Sequence, residues 1–167
     1  PASTTGPRQR RTPCRRPMRG RVAGLLALLA IAGCTIPRWP VDGTLTSAFG
    51  LRWRSLLPEV HRGVDIYVPS GTDVRAMAPG RVRFAGTQGG YGNVVWMDHG
   101  GGVVTVYAHL SEIRVRAGDV VEGHAVVALS GATGDVTGPH LHFELWRWGH
   151  ERDPVPLLGG PPRPRLR

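Results

Sequence analysis

Short apolar runs separated by glycine-containing turns constrain the fold of this chain more than any other feature. The turns include Pro79-Gly80, Gly89-Gly90 and Gly100-Gly101-Gly102, and the apolar runs between them are about four to six residues long. Runs of that length with turn residues at both ends are typical of β-strands, and no segment of useful length has helical periodicity. We therefore expect an all-β domain, with strands over residues 44–49, 64–68, 73–76, 81–85, 93–98, 103–108, 125–129 and 141–146.

The length of 167 residues fits one domain. We place that domain over residues 44–157, after a short linker at 34–43 that could span at most about 30 Å. Residues 158–167 have too little apolar content to pack, so they are predicted to form a disordered tail.

The amino-terminal segment predicts a compartment. Met18 is followed by two arginines and an apolar run over 22–32, which is typical of a signal peptide at 18–33 and is shorter than the roughly 20 residues of a membrane-spanning helix. The run ends at Gly33-Cys34 and resembles the lipobox of bacterial lipoproteins, in which the cysteine is lipidated. An ordinary cleavage site beside an unmodified Cys34 is the alternative. Residues 1–17 are expected to be untranslated or disordered.

The formal charge of +9 does not indicate nucleic-acid binding. Seven of the 21 basic residues precede residue 34, so 14 arginines oppose 12 acidic residues from Cys34 onward, a net charge of +2. That part of the chain has no motif typical of DNA or RNA recognition. We therefore expect no nucleic-acid partner.

Three phrases concentrate the residues that could carry chemistry. They are His61-Arg-Gly-Val-Asp65, Tyr107-Ala-His109-Leu110 and His140-Leu-His142-Phe-Glu144. Alternate residues of a strand face the same side, so the two histidines of the third phrase project together. Two imidazoles and one carboxylate suit Zn²⁺, and a site with three protein ligands keeps a fourth position open for catalysis.

These phrases and several others resemble those of the lysostaphin-type zinc endopeptidases, also called LytM-like peptidases. The resemblance runs from about Gly43 to Leu157, and its order along the chain makes it more specific than a lone pair of alternating histidines. The other matching phrases are Thr46-Ser-Ala-Phe-Gly-Leu-Arg52, Gly90-Tyr-Gly-Asn-Val-Val95, Val104-Thr-Val-Tyr-Ala-His-Leu-Ser111 and Gly131-Ala-Thr-Gly134.

The resemblance implies a mostly antiparallel β-sheet domain of the lysostaphin, or duplicated-hybrid-motif, type with an open groove. It makes His61, Asp65 and His142 the ligands of Zn²⁺. His109 and His140 become the catalytic pair that moves the proton and hydrogen-bonds the oxyanion, and which histidine does which stays open.

The implied function is a zinc endopeptidase that hydrolyses stem-peptide or cross-bridge bonds of bacterial peptidoglycan. We expect it in the cell envelope, as a periplasmic lipoprotein held by Cys34, with further envelope proteins as candidate partners. Thr35-Ile36 lacks an acidic residue, which favours the outer membrane. The alternative is a non-catalytic wall-binding regulator that activates a separate peptidoglycan amidase, and retention of all five site residues favours the enzyme.

Two further side chains have weaker expected roles. Glu144 lies on the predicted strand face of His140 and His142, so it could accept a hydrogen bond from a ligand histidine or could support the structure. Arg52 is expected to brace the turn after Phe49, rather than to bind a substrate carboxylate.

Overall fold

A computed structural model of the chain describes residues 36–54 and 57–164. The predicted extension at 1–17, the signal peptide at 18–33 and the lipidated Cys34 lie outside the described residues. Within them, the chain forms strands of two to eleven residues and one four-residue α-helix. No helix among the described residues is long and apolar enough to cross a membrane.

The strands follow one another along the chain with short connections. They are β1 (Thr44–Ser47), β2 (Gly50–Arg54), β3 (Leu57–His61), β4 (Val64–Tyr67), β5 (Asp73–Arg75), β6 (Gly80–Thr87), β7 (Asn93–Asp98), β8 (Val103–Ile113), β9 (Val120–Val121), β10 (Val126–Ser130), β11 (Leu141–Arg147) and β12 (His150–Arg152). A 3₁₀ turn (Gly89–Tyr91) precedes β7, and helix α1 (Pro154–Leu157) follows β12. Asp153 caps α1 by accepting a hydrogen bond from the Val155 backbone N–H.

The main sheet has ten strands, and every strand pair in it is antiparallel. Its order is β1-β4-β11-β8-β7-β6-β9, with β10 pairing β5 and β8, and with β12 beside β11. Strands β2 and β3 form a separate antiparallel hairpin. The predicted all-β, mostly antiparallel fold is therefore confirmed.

The predicted strands agree with the structure best in the centre of the sheet. The prediction for 93–98 has the observed bounds of β7, whereas β8 continues to Ile113, five residues beyond the predicted end. The hairpin of β2 and β3 was missed because its residues do not alternate between buried and exposed positions. The short edge strands β9 and β12 were missed as well.

The central strands separate two environments. Residues directly opposite each other in antiparallel strands point to the same face. Phe143 on β11 therefore shares one face with Val64 on β4 and Tyr107 on β8, and all three are fully buried in the core. Their sequence neighbours, among them His142, point to the opposite face.

The buried Tyr107 hydroxyl organises the polar groups inside this core. It accepts a hydrogen bond from the Met77 backbone N–H at 2.9 Å and lies 3.0 Å from the Thr105 hydroxyl. His99 continues the chain of hydrogen bonds, since its Nε2 is 2.7 Å from Thr105 Oγ1 and its Nδ1 donates to the Pro79 carbonyl at 2.8 Å. Burial raises the pKa of Tyr107 to about 12, so the hydroxyl stays neutral.

The segments before β1 and after α1 contact each other and the core. The Trp39 ring packs edge-on against Phe143, with ring centroids 6.1 Å apart, and its Nε1 donates to the Gly160 carbonyl at 2.8 Å. Leu158 packs against the same core cluster. Leu158 and Gly160 thus contact the domain, and disorder of the tail at 158–167 stays a prediction.

We expect Tyr107→Phe to lower the free energy of unfolding by about 1–3 kcal/mol, because it leaves a buried Met77 N–H without an acceptor. Urea denaturation followed by circular dichroism measures this change. Tyr67→Phe is the matched control, since Tyr67 is 54% exposed and its loss should stay within about 0.5 kcal/mol. Equal effects of the two substitutions would contradict this role of Tyr107.

Candidate metal centre

All five predicted site residues line one open cleft of about 520 Å³. Arg52 and Trp53 of the β2–β3 hairpin form part of one wall, and Gly90 and Tyr91 of the 3₁₀ turn contribute another part. The structure therefore brings together side chains that are up to 81 positions apart in the sequence.

The chain bends sharply between His61 and Asp65. His61 ends β3, and Asp65 is the second residue of β4, so the two do not lie on one extended strand. Gly63 sits in the bend and packs so closely on β11 that a Cβ there would lie 2.4 Å from the Phe143 carbonyl oxygen. Glycine is needed for this close approach.

The sheet register places Asp65 directly opposite His142. Asp65 Oδ1 is 2.8 Å from His142 Nδ1 and 3.1 Å from His61 Nε2, and the two ring nitrogens are 3.2 Å apart. His61, Asp65 and His142 thus form the one group of three potential metal ligands found among the described residues. Two nitrogens and one carboxylate oxygen converge on a single point.

The other nitrogen of each ligand-type histidine has its own acceptor. His61 Nδ1 donates to the Ala48 carbonyl at 2.8 Å, and His142 Nε2 donates to Glu144 Oε1 at 3.0 Å. In the neutral form that metal binding requires, each imidazole keeps a single N–H, so these bonds would leave the lone pairs of His61 Nε2 and His142 Nδ1 facing Asp65. Outer hydrogen bonds of this kind orient metal-binding histidines.

The carboxylates of Asp65 and Glu144 lie beside the converging donor atoms and favour the binding of a cation there. Burial alone would raise the pKa of Asp65, but hydrogen bonds and charge interactions with His142 and His61 outweigh burial and hold that pKa well below its usual range. Burial lowers the pKa of His142, whereas hydrogen bonds to Asp65 and Glu144 raise it by more, to about 9. The carboxylates of Asp65 and Glu144 thus stabilise positive charge on the His142 ring, and a metal that binds Nδ1 would take the place of its proton.

Glu144 is the buried support of His142. It has no exposed surface, and besides His142 it accepts hydrogen bonds from the Tyr91 hydroxyl and from Trp146 Nε1, each at 2.7 Å. Burial alone would raise the pKa of Glu144, but these three donors lower it overall. The hydrogen bond from His142 is thus the contact expected of Glu144 if it supports a ligand histidine.

Arg52 holds the second oxygen of Asp65. Its guanidinium donates to Asp65 Oδ2 at 3.2 Å and to Ser47 Oγ at 2.8 Å, and it pairs with Glu59 at 3.4 Å. These contacts tie the β2–β3 hairpin to β1 and β4. They agree with the expected bracing role and extend it to Asp65.

His109 faces the cleft because its backbone departs from the regular strand. Ala108 and His109 together stand opposite Val94, which makes a β-bulge in β8, and His109 has a left-handed φ of 61°. A regular strand would turn His109 to the same face as Tyr107, into the core. The bulge turns it into the cleft instead.

His109 and His140 face each other across the cleft, with ring centroids 4.8 Å apart. His109 Nδ1 donates to the Thr133 carbonyl and His140 Nδ1 to the Gly138 carbonyl, both at 2.9 Å. His140 Nε2 lies 3.7 Å from Asp65 Oδ1. Burial lowers the pKa of His109 to about 4, so its ring is neutral near pH 7.

Sequence reasoning missed Tyr91 as a site residue. Its hydroxyl holds Glu144, and its ring centroid is 6.0 Å from that of His142. The available signal was its place in the phrase Gly90-Tyr-Gly-Asn-Val-Val95, which matches the family pattern without containing a histidine or an acid.

The fold and the convergent donors define a class: an all-β domain with an open cleft and a candidate metal centre. The sequence model of Peptidase family M23 matches residues 59–154, which is more than half of the chain. The chain therefore belongs to Peptidase family M23, and the predicted lysostaphin-type membership is confirmed.

Two curated relatives illustrate the range of activities named in this family. Over 113 residues the chain is 44% identical to the DD-carboxypeptidase/endopeptidase Mpg of Neisseria meningitidis serogroup B, covering 66% of this chain and 26% of that protein. Over 127 residues it is 35% identical to the murein hydrolase activator EnvC of Escherichia coli, covering 72% and 28%. The chain thus spans about a quarter of the length of these relatives.

Two solved structures share the fold. A zinc-containing peptidase from Vibrio cholerae is similar with a TM-score of 0.68 and 33% identity, over 74% of this chain and 39% of that one. The catalytic domain of the antimicrobial peptidase lysostaphin from Staphylococcus simulans has a TM-score of 0.66 and 30% identity, over 71% and 94%. The described domain therefore corresponds to nearly all of that catalytic domain.

We expect Glu144→Gln to weaken Zn²⁺ binding by about 10–100-fold, because His142 loses its charged hydrogen-bond acceptor. Competition with a chelating dye measures the dissociation constant. The exposed Glu122 provides the control, and Glu122→Gln should bind Zn²⁺ like the unchanged protein. Unaltered affinity in Glu144→Gln would show that Glu144 does not support the site.

Proposed function

We propose that this protein is a zinc-dependent endopeptidase that hydrolyses peptide cross-links of bacterial peptidoglycan. The observation that supports this most is the convergence of His61 Nε2, Asp65 Oδ1 and His142 Nδ1 within 3.2 Å of one another. The opposite nitrogens of both histidines are engaged elsewhere, so the donors are already oriented for a metal.

The donor set fits Zn²⁺. Two imidazole nitrogens and one carboxylate oxygen are typical of catalytic zinc sites, which use three protein ligands. When bound, Zn²⁺ supplies a Lewis acid that polarises a carbonyl oxygen and makes water acidic enough to attack near neutral pH. The similar Vibrio cholerae structure is of a zinc-containing peptidase, which supports the choice of metal.

His109 and His140 divide the proton and oxyanion chemistry in this proposal. Each anchors its Nδ1–H on a backbone carbonyl, so each presents Nε2 to the cleft. One of the two would accept a proton from the attacking water at its Nε2, and the other would donate a hydrogen bond from Nε2 to the developing oxyanion.

The proposed substrate rests on the relatives and on the shape of the cleft. Mpg is named as a DD-carboxypeptidase/endopeptidase, and an open cleft admits a peptide that belongs to a larger polymer. A lipid-anchored position in the cell envelope, with Cys34 as the anchor and the outer membrane as the site, is part of this proposal. The anchor and the membrane are separate hypotheses from the chemistry.

The regulator of a separate amidase remains the second candidate function because the chain is also similar to the activator EnvC. Retention of the metal-binding set and of both cleft histidines favours catalysis. A purified protein that releases no fragments from sacculi, yet increases release by an added amidase, would decide for the regulator.

We expect His142→Ala to abolish zinc binding and the release of muropeptides from purified sacculi. The reason is that the substitution removes one of three ligands and leaves Asp65 without its opposite partner. Metal content follows from elemental analysis, and the fragments are identified by mass spectrometry. His150→Ala, on the exposed start of β12, is the control and should retain both properties. Full activity of His142→Ala would refute the proposed site.

Substitution of the two histidines proposed for catalysis should have a different effect from substitution of a metal ligand. We expect His140→Ala and His109→Asn to keep zinc bound but to lower the rate of fragment release by about 10²–10⁴-fold. Asparagine is chosen for residue 109 because it tolerates the left-handed backbone found there. Loss of zinc together with activity would place these histidines among the ligands, against the proposed division of roles.

A further inference from the structure

A row of aromatic side chains lies on the same sheet face as the candidate metal centre. Phe84 on β6 is directly opposite Trp96 on β7, Trp96 is opposite Val106 on β8, and Val106 is opposite Glu144 on β11. Directly opposite residues share a face. We call Phe84, Trp96 and Trp146 the aromatic row. None of the three is a candidate metal ligand, and none lines the cleft.

Phe84 and Trp96 of the aromatic row line a shallow groove of about 400 Å³. Phe84 is 39% exposed, and the Trp96 and Trp146 rings lie 5.9 Å apart at an angle of 44°. Arg83 and Gln88 line the groove with Phe84 and Trp96. Arg83 is held by two hydrogen bonds to Asp98, at 2.6 and 3.0 Å, whereas the Gln88 side chain has no hydrogen-bond partner among the described residues.

The segment that lines the groove runs on into a wall of the cleft. Gln88 lines the groove, and Gly90 and Tyr91, two and three residues further on, line the cleft. Only β8 lies between β7 and β11, so Trp96 and Glu144, which both stand level with Val106, are about 10 Å apart across the strands. Trp146 also donates to Glu144, the carboxylate that holds His142.

We propose that the aromatic row and its groove bind sugar rings of the glycan chain to which the substrate peptide is attached. This rests on the proposed function, because peptidoglycan peptides are carried by glycan. A pyranose ring has an apolar face of C–H groups and a rim of polar substituents. Aromatic ring faces pack against the former, while the Gln88 amide and the Arg83–Asp98 pair can hydrogen-bond hydroxyl and acetamido groups at the rim.

The dimensions favour a saccharide over a protein partner. A stable protein interface buries about 800 Å² on each side, whereas this groove is bordered by a few rings and is flanked by charged and amide side chains. A small mixed surface next to a cleft suits a narrow, hydroxylated polymer. Peptide in the cleft and glycan in the groove would then be held at the same time on one sheet face.

Binding is tested directly with chitotetraose, the tetramer of N-acetylglucosamine, added to ¹⁵N-labelled protein. We expect saturable shifts of the Trp96 and Trp146 indole N–H resonances. Phe84→Ser and Gln88→Ala should each weaken binding at least about fivefold, which corresponds to about 1 kcal/mol. Leu157→Ser, at a 51% exposed position on α1, is the matched control and should bind like the unchanged protein.

Circular dichroism verifies that each variant is folded, and Gln88→Ala changes an exposed side chain outside the strands. The absence of saturable shifts in the unchanged protein would overturn the proposal. Equal binding by the unchanged protein and by folded Phe84→Ser and Gln88→Ala would overturn it as well.

Kinetics separate this proposal from the proposed function. With cross-linked peptides still attached to soluble glycan, Phe84→Ser should raise KM about fivefold and leave kcat unchanged, and with free cross-linked peptides both constants should stay the same. Chitotetraose binding without any hydrolysis would support the groove and refute the peptidase. If Phe84→Ser hydrolyses both substrates with the same KM and kcat as the unchanged protein, the groove is refuted and the peptidase is supported.

Discussion

The antiparallel register of β4, β11 and β8 is the constraint on which the rest of the site depends. It sets Asp65 opposite His142 and His142 opposite Ala108, while the neighbouring residues Val64 and Phe143 point into the core. Because strand side chains alternate, a slip of one residue would bury the polar set and expose the core set. The free energy of core packing therefore holds the metal-binding donors on the cleft face.

The polar groups behind the metal-binding atoms each have hydrogen-bond partners of their own. Glu144 is fully buried and accepts three hydrogen bonds, and Arg52 approaches Asp65 from the opposite side. An unpaired carboxylate in such a place would be costly. The surrounding aromatic residues Tyr91 and Trp146 therefore have a double role, since they pack on the sheet and also donate to Glu144. Positioning of His142 and the aromatic surface of the sheet are parts of one network.

Much of this arrangement could be predicted from the sequence, and the remainder depends on particular backbone events. The central strands were predictable because β7 and β8 are apolar runs between glycine turns, and the meeting of the five candidate residues in one cleft was predictable because their order matches a family pattern. The β2–β3 hairpin was not, because its exposed Leu51, Trp53 and Val60 give no alternating burial. The bulge at His109 and the contact of Gly63 with β11 involve residues distant in sequence, so no local pattern reports them.

The central claim is that His61, Asp65 and His142 together hold one zinc ion. Anomalous diffraction at the zinc absorption edge, from crystals of the protein saturated with Zn²⁺, tests it most directly. The account predicts one strong peak about 2.0–2.2 Å from His61 Nε2, Asp65 Oδ1 and His142 Nδ1. An empty position between these atoms, with zinc bound at other histidines, would contradict it.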